Sequence, residues 1–234
     1  MNILVLIISS NNLPIYEKNK EVWRTYMNSH PNIDSFFIEY HSAPNFKKEN
    51  NTIYLPGKES YENILSKTLL SLDYFINKSN KKYDFVVRTN LSTVWDFENL
   101  MKYLETLPKE KLYAGPTGPY YHVDNGVFWF HFAGGMSIIM SIDVCALLLL
   151  PEKQKIAKEF NNMDDIDIGY TLHVSGIYLT PFEYFKVDSL DQFYQFESTI
   201  QSRNYICYRA KSESENRKEE PECMQKIVKL LISI

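Results

Sequence analysis

Apolar positions along this chain alternate between unbroken runs and stripes at three- and four-residue steps. Ile3–Ile8 is a continuous apolar run, as in a strand covered on both faces, and it breaks into the polar tip Ser9-Ser10-Asn11-Asn12. Residues 16–29 carry Val22, Trp23, Tyr26 and Met27 on one stripe, which predicts a helix stopped by Pro31. Strands are expected at 33–40 and 52–55, followed by a Pro56-Gly57 turn. Ile64, Leu65, Thr68, Leu69, Leu72, Phe75 and Ile76 stripe one long helix over 59–77, with Ser60 as its N-cap. Residues 83–88 read as a buried strand, and a helix striped by Phe97, Leu100, Met101, Leu104 and Leu107 follows and ends at Pro108.

The second half is less regular. Strands are expected at 112–114, 127–132, 136–140 and 177–185, and a long Gly- and Pro-rich loop at 115–126. Helices are expected at 142–150, at Pro151–Phe160 and from the Asp164 region to about His173. The charge-dense stretch 211–222 reads as a solvated loop, and 227–232 as a short closing helix. Alternating strand and helix predicts an α/β fold, a mostly parallel sheet flanked by helices. The expected division is one domain over 1–210, with 211–234 as a charged loop and helix packed on it or trailing it.

Composition narrows the classes. The 234 residues, 44% hydrophobic and 15% aromatic, suffice for one large core. A net charge of -4 gives no basic footprint for nucleic acid. Cys145, Cys207 and Cys223 are odd in number and far apart, which fits neither a zinc pattern nor a disulfide framework and suggests a reducing compartment. The first apolar run lacks a basic flank and a cleavage site, and no stretch is long enough to span a bilayer. A soluble protein is the expectation.

Candidate chemistry gathers at three places. Phe85-Val86-Val87 breaks into Arg88-Thr89-Asn90-Leu91-Ser92, and ligands of open α/β sheets bind beyond strand carboxyl ends. The plainer alternative is a strand-to-helix turn, with Ser92 or Thr93 near the helix start. Asp164-Asp165-Ile166-Asp167 follows Asn161-Asn162 and precedes Gly169. Carboxylates are favoured at a helix start by the dipole, and one held there can also act as a base toward a hydroxyl. Gly134-Gly135 either lets a ligand approach the backbone or makes a tight bend. The histidines His30, His41, His122, His131 and His173 have no paired metal spacing. Phosphate loops, dinucleotide fingerprints and nucleophile elbows do not occur.

Four stretches in order carry a resemblance: ESYENILSKTLLSL, YDFVVRTNLSTVWDFENLMKYL, FAGGMSIIMSIDVCALLL and MDDIDIGYTLHVSGI. They resemble the β-1,3-glycosyltransferases of the galactosyltransferase and Fringe kind, which have the GT-A fold, over roughly residues 59–178. The first matches that family's helix at Ser60, Tyr61, Asn63, Lys67 and Thr68, and the last resembles its Glu-Asp-Val-x-x-Gly helix. The resemblance implies inverting transfer from a nucleotide-sugar donor, by default a UDP-sugar, to a glycan or other hydroxyl acceptor. It implies Asp165 as base with Asp164 beside it, and Ser9 and Asn11 near the nucleotide base. Asn63 and Lys67 would lie on the donor side with Arg88, Thr89, Asn90 and Ser92. Gly134 and Gly135 would admit sugars.

The family's Asp-x-Asp, which holds Mn2+ or Mg2+ under the leaving diphosphate, is replaced here by Asn90-Leu91-Ser92. Asn and Ser are neutral donors and weak candidates for a metal. Arg88 or Lys67 would then supply positive charge directly. The rival expectations are a GT-A domain that binds a glycan or protein without catalysis, and, behind it, a nucleotidyltransferase. Without an anchor, the expected location is the cytoplasm of a microbe, or of the host for a viral protein.

Overall fold

The run Ile3–Ile8 lies in the middle of the main sheet, where both of its faces meet side chains. The protein is described here by a computed structural model over residues 1–122, 128–160, 163–212 and 217–232. The first half contains β1 (Ile3–Ile8), α1 (Pro14–Tyr26), β2 (Ile33–His41), β3 (Lys47–Glu49), β4 (Thr52–Pro56), α2 (Ile64–Asp73), β5 (Phe85–Asn90), β6 (Thr93–Trp95) and α3 (Phe97–Glu105). The second half contains β7 (Tyr113–Gly115), β8 (Thr117–His122), β9 (Phe128–Ala133), β10 (Ser137–Ser141), α4 (Ile142–Leu148), α5 (Pro151–Phe160) and α6 (Asp164–His173). It closes with β11 (Thr180–Pro181), β12 (Phe185–Lys186), α7 (Leu190–Gln195), α8 (Glu197–Gln201), β13 (Cys207–Arg209) and α9 (Glu220–Ile232).

Eight strands form the main sheet in the order β11-β7-β10-β5-β1-β2-β4-β3. Strand β1 pairs in parallel with β2 and with β5, so Ile8 stands opposite both Ile38 and Asn90. The chain leaves β1 toward β2 on one side and returns as β5 on the other. The carboxyl ends of β1 and β5 therefore flank a topological switch point, the place where open α/β sheets bind ligands. One core lies between this sheet and α1, α3 and α9, through Ile3, Val5, Ile7, Trp23, Leu100 and Ile227. The other lies under α2, α4 and α6, through Leu4, Leu6, Leu69, Val144 and Leu172. The fold is mixed α/β, a mostly parallel sheet flanked by helices in a single domain.

Several elements differ from the sequence expectation. The helix expected over 16–29 runs from Pro14 to Tyr26, using the proline at its first turn, where no N–H is needed. The long helix over 59–77 is a 3-10 turn at Tyr61–Asn63, α2, and a π turn at Tyr74–Lys78. Ser60 precedes that 3-10 turn but makes no side-chain cap bond. Strand β5 continues to Asn90, because β1 and β10 pair with Arg88 and Thr89 on its two sides. No helix starts at Ser92 or Thr93; Thr93 opens β6, and Asp96 caps α3 by accepting from the Asn99 N–H. Residues 117–122 of the expected loop are strand β8, whose backbone groups are met by β9; residues 123–127 lie outside the described ones. The strand expected over 177–185 is reduced to the two-residue bridges β11 and β12, in different sheets. Of the charged stretch 211–222, residues 217–219 form a 3-10 turn and 220–222 open the 13-residue helix α9. That helix starts seven positions earlier than the apolar stripe announces, because Arg217 and Asn19 satisfy the buried Glu220.

Candidate functional site

A cavity of about 350 Å³ opens at the switch point. Its walls are the tip after β1 (Ser9, Ser10, Asn12), the entrance of α2 (Glu59, Tyr61, Lys67) and the exit of β5 (Asn90, Leu91, Ser92). The fourth wall comes from the far end of the chain, with Arg209, Lys211 and Arg217. These three cations were not legible as a site in sequence. The available signal was Arg209 in the apolar context Ile206-Cys207-Tyr208, a charge at the end of a short buried strand.

Strand pairing delivers them. Strand β13 runs antiparallel to β6, with Arg209 opposite Thr93 and its Nη1 donating to Thr93 Oγ1 at 3.0 Å. The Ala210 N–H donates to the Ser92 carbonyl at 2.8 Å. The backbone that carries Arg209 is thus bonded to the segment that carries Asn90 and Ser92. Burial lowers the Arg209 pKa to about 10, with Glu220 opposing, so the guanidinium stays charged at neutral pH. Arg217 donates to both carboxylate oxygens of Glu220, at 2.6 and 2.8 Å, and lies over the Tyr16 ring.

The acid pair stands beside this cavity. Asp164 and Asp165 open α6, where the helix dipole favours carboxylates. Arg88, buried on β5, donates from Nη2 to Asp164 Oδ2 at 2.6 Å and from Nη1 to Asn90 Oδ1 at 3.1 Å. Its Nε is buried without a partner among the described residues. Burial pushes the Asp164 pKa above the ordinary carboxylate value; Arg88 opposes this and Asp165 adds to it. Asp165 Oδ2 accepts from the Gly135 N–H at 2.7 Å, and Oδ1 accepts from the Ile166 N–H. Tyr61 joins the two regions. It lines the cavity, and its hydroxyl pKa is raised by burial first and then by the charges of Asp164 and Asp165.

The other sequence candidates fall in three groups. Ser9, Lys67, Asn90 and Ser92 line the cavity. Ser9 Oγ donates to Glu39, and its carbonyl accepts from Lys67, whose ammonium also meets Glu59 at 2.6 Å. Burial lowers the Lys67 pKa, and Glu59 opposes. Arg88 and Thr89 are buried and outside the lining; the Thr89 hydroxyl donates to the Met136 carbonyl and accepts from Trp95. Asn11 and Asn63 are outside the lining, and Asn63 Nδ2 donates back to the Lys58 carbonyl.

Gly135 is required by close approach: a Cβ there would stand 2.8 Å from Arg88 Nη1 and 3.2 Å from Asp165 Oδ2. Gly134 has open space. At Gly169 a Cβ would strike Phe132 at 2.4 Å, so that glycine serves the packing of α6 on β9. Asn161 and Asn162 lie outside the described residues.

A divalent cation under a diphosphate needs anionic oxygens, and the residues here do not fit one. Asn90 and Ser92 are neutral, and Asn90 Oδ1 is turned toward a guanidinium. Glu59, the acid in the lining, is engaged by Lys67. Four basic residues share the walls with that one acid, which favours an anion as occupant.

No protein-family model matches the chain, and no curated protein matches it. Solved structures do match in shape. A glycosyltransferase involved in the glycosylation of the major capsid of PBCV-1 aligns with a TM-score of 0.52 at 11% identity, covering 96% of this chain and 100% of that one. The galactosyltransferase LgtC, in complex with donor and acceptor sugar analogs, aligns at 0.50 and 10% identity, over 100% and 96% of the two chains. The glycosyltransferase GlyE of Streptococcus pneumoniae TIGR4 aligns at 0.51 and 9% identity over the whole of this chain, which spans 63% of that one. At these identities the likeness establishes the fold, which is that of the GT-A glycosyltransferases. Among the described residues no helix is long and apolar enough to cross a membrane.

Proposed function

We propose that this chain is an inverting glycosyltransferase that moves a sugar from a nucleotide-sugar donor to a hydroxyl of a glycan or other acceptor. The observation that carries the reading is the acid pair Asp164-Asp165 beside a cation-lined cavity at the switch point of the sheet. The cavity takes the donor, with the nucleoside toward Ser10, Asn12 and Tyr16 and the diphosphate toward the cations. The sugar then points past Tyr61 to the acids. Asp165 takes the acceptor proton as the acceptor oxygen bonds to the anomeric carbon. The bond from that carbon to the diphosphate breaks, and a nucleoside diphosphate leaves. Arg88 fixes Asp164, and Gly135 fixes Asp165, so both carboxylates are oriented before substrate arrives.

The Fringe-like resemblance makes uridine diphosphate the first donor nucleotide to try. The test is a panel of nucleotide sugars with a library of saccharide acceptors, read as release of nucleoside diphosphate. One donor should turn over, and Asp165→Asn should remove turnover while donor affinity stays near wild type. Normal turnover in Asp165→Asn would take the base role from Asp165. A chain that binds saccharides but turns over no donor would instead be a GT-A domain that binds without catalysis.

A further inference from the structure

We propose that this chain holds the donor's diphosphate without a metal ion, on a cradle of Arg209 and Lys211 supplied by its C-terminal segment, with Arg217, itself paired to Glu220, beside them in the wall. The inference rests on the donor reading above and names what meets the charge of the leaving group. Three observations converge on it. The place where a metal would bind has neutral side chains, with the Asn90 oxygen already accepting from Arg88. The β6–β13 pairing and the bond from the Ala210 N–H to the Ser92 carbonyl bring Arg209 to that same place. The guanidinium of Arg217 is held at the cavity by its fork onto Glu220 and by the Tyr16 ring, and Tyr16 is itself part of the lining.

Arg88 and Lys67, the two cations the sequence offered in place of a metal, are committed elsewhere. Arg88 spends its Nη groups on Asp164 and Asn90, and Lys67 is neutralised by Glu59. Arg209 is of a different kind: a hydroxyl, not a carboxylate, accepts from its Nη1. A guanidinium presents a planar donor fork that suits phosphate oxygens, and preorganised positive charge stabilises a departing diphosphate as a metal would. Unlike a metal, this charge is present in the empty site and cannot be stripped by a chelator.

The test is calorimetric titration of the full chain with uridine, guanosine, cytidine and adenosine diphosphates, first in chelator and then in manganese. One of them should bind in chelator, with affinity changed less than about twofold by manganese, and its affinity should fall as ionic strength rises. Arg209→Gln and Lys211→Glu should each weaken that diphosphate at least tenfold, and should leave the weak binding of the matching free nucleoside unchanged. Lys211 is exposed, so its variant carries the test should Arg209→Gln fold poorly. Binding seen only with manganese would overturn the cradle and leave the glycosyltransferase reading standing. Undiminished binding by both variants in chelator would also overturn the cradle. Failure of every diphosphate in both conditions would overturn the cradle and the donor reading together.

Discussion

Replacing Arg88 by methionine keeps most of the aliphatic stem in the sheet and deletes the charge that holds Asp164. The Arg88 side chain is 2% exposed and that of Asp164 10%, with 2.6 Å between them. Removing one partner of a buried pair costs about 3–5 kcal/mol, because the other charge is left in a poor solvent. For a chain of this length that is a fall in Tm of roughly 6–20 °C. The loss should depend on pH in a definite direction. Burial already raises the Asp164 pKa, and the Arg88 charge is the strongest influence lowering it, so Arg88→Met raises it further. Between the unfolded carboxylate pKa and this higher folded value, the native state binds more protons than the unfolded state. Stability therefore falls as pH rises through that window, and the deficit is complete above the folded pKa. Urea melts of wild type, Arg88→Met, Asp164→Asn and the double variant, at pH 7.5 and pH 5, read this out. Arg88→Met should be the least stable of the four at pH 7.5, should recover part of its loss at pH 5, and should be improved by adding Asp164→Asn. An Arg88→Met protein within about 0.5 kcal/mol of wild type at pH 7.5, or a strictly additive cycle, would refute the assignment of Arg88 as the anchor of the acid pair.

Other consequences follow from single contacts. Gly135→Ala places a methyl against Arg88 Nη1 and Asp165 Oδ2 and should cost about 1–3 kcal/mol and most of the transfer activity, while Gly134→Ala, in open space, should leave both near wild type. Paired melts and donor turnover decide between them. Asp96 is buried, accepts the Asn99 N–H at the start of α3 and receives Arg203 Nε at 2.6 Å, so Asp96→Ala should cost about 2–4 kcal/mol by denaturant melt; a smaller loss would mean that the Arg203 pair contributes little. Cys145, Cys207 and Cys223 are buried free thiols, and burial pushes the last two up to about 12. All three should resist a thiol reagent at neutral pH and react together in denaturant; fast labelling of any one in the native protein would contradict its burial.

The centre of the main sheet was legible because β1, β5 and β10 are buried on both faces and carry apolar runs, while β4 alternates buried and half-buried positions. The acid pair was legible as a helix start rich in carboxylates. Arg88 was harder. A charge that ends an apolar run signals an exit to solvent, yet β10 pairs along that end of β5 and closes over it. What makes its burial tolerable is Asp164, 76 positions away, which no local pattern reveals. Strand β8 was hidden by its glycine and proline, because its partner β9 supplies the bonds that a turn-like sequence does not advertise. Lys211 and Arg217 were missed for the same reason as the start of α9. Dense charge reads as solvated chain, and only tertiary pairing turns Glu220 inward, to 1% exposure, and holds Arg217 at the cavity.

Thermal melting of the wild-type protein against a panel of nucleotide sugars tests the central claim most directly. A ligand that binds only the folded state at a hundred times its Kd stabilises by about 2.7 kcal/mol, a rise of roughly 5–10 °C at this chain length. The expected result is such a rise with one nucleoside-diphosphate sugar, retained in chelator and abolished when the nucleotide lacks its phosphates. A flat Tm across the whole panel at millimolar concentration, with and without manganese, would contradict the assignment of the switch-point cavity as a donor site.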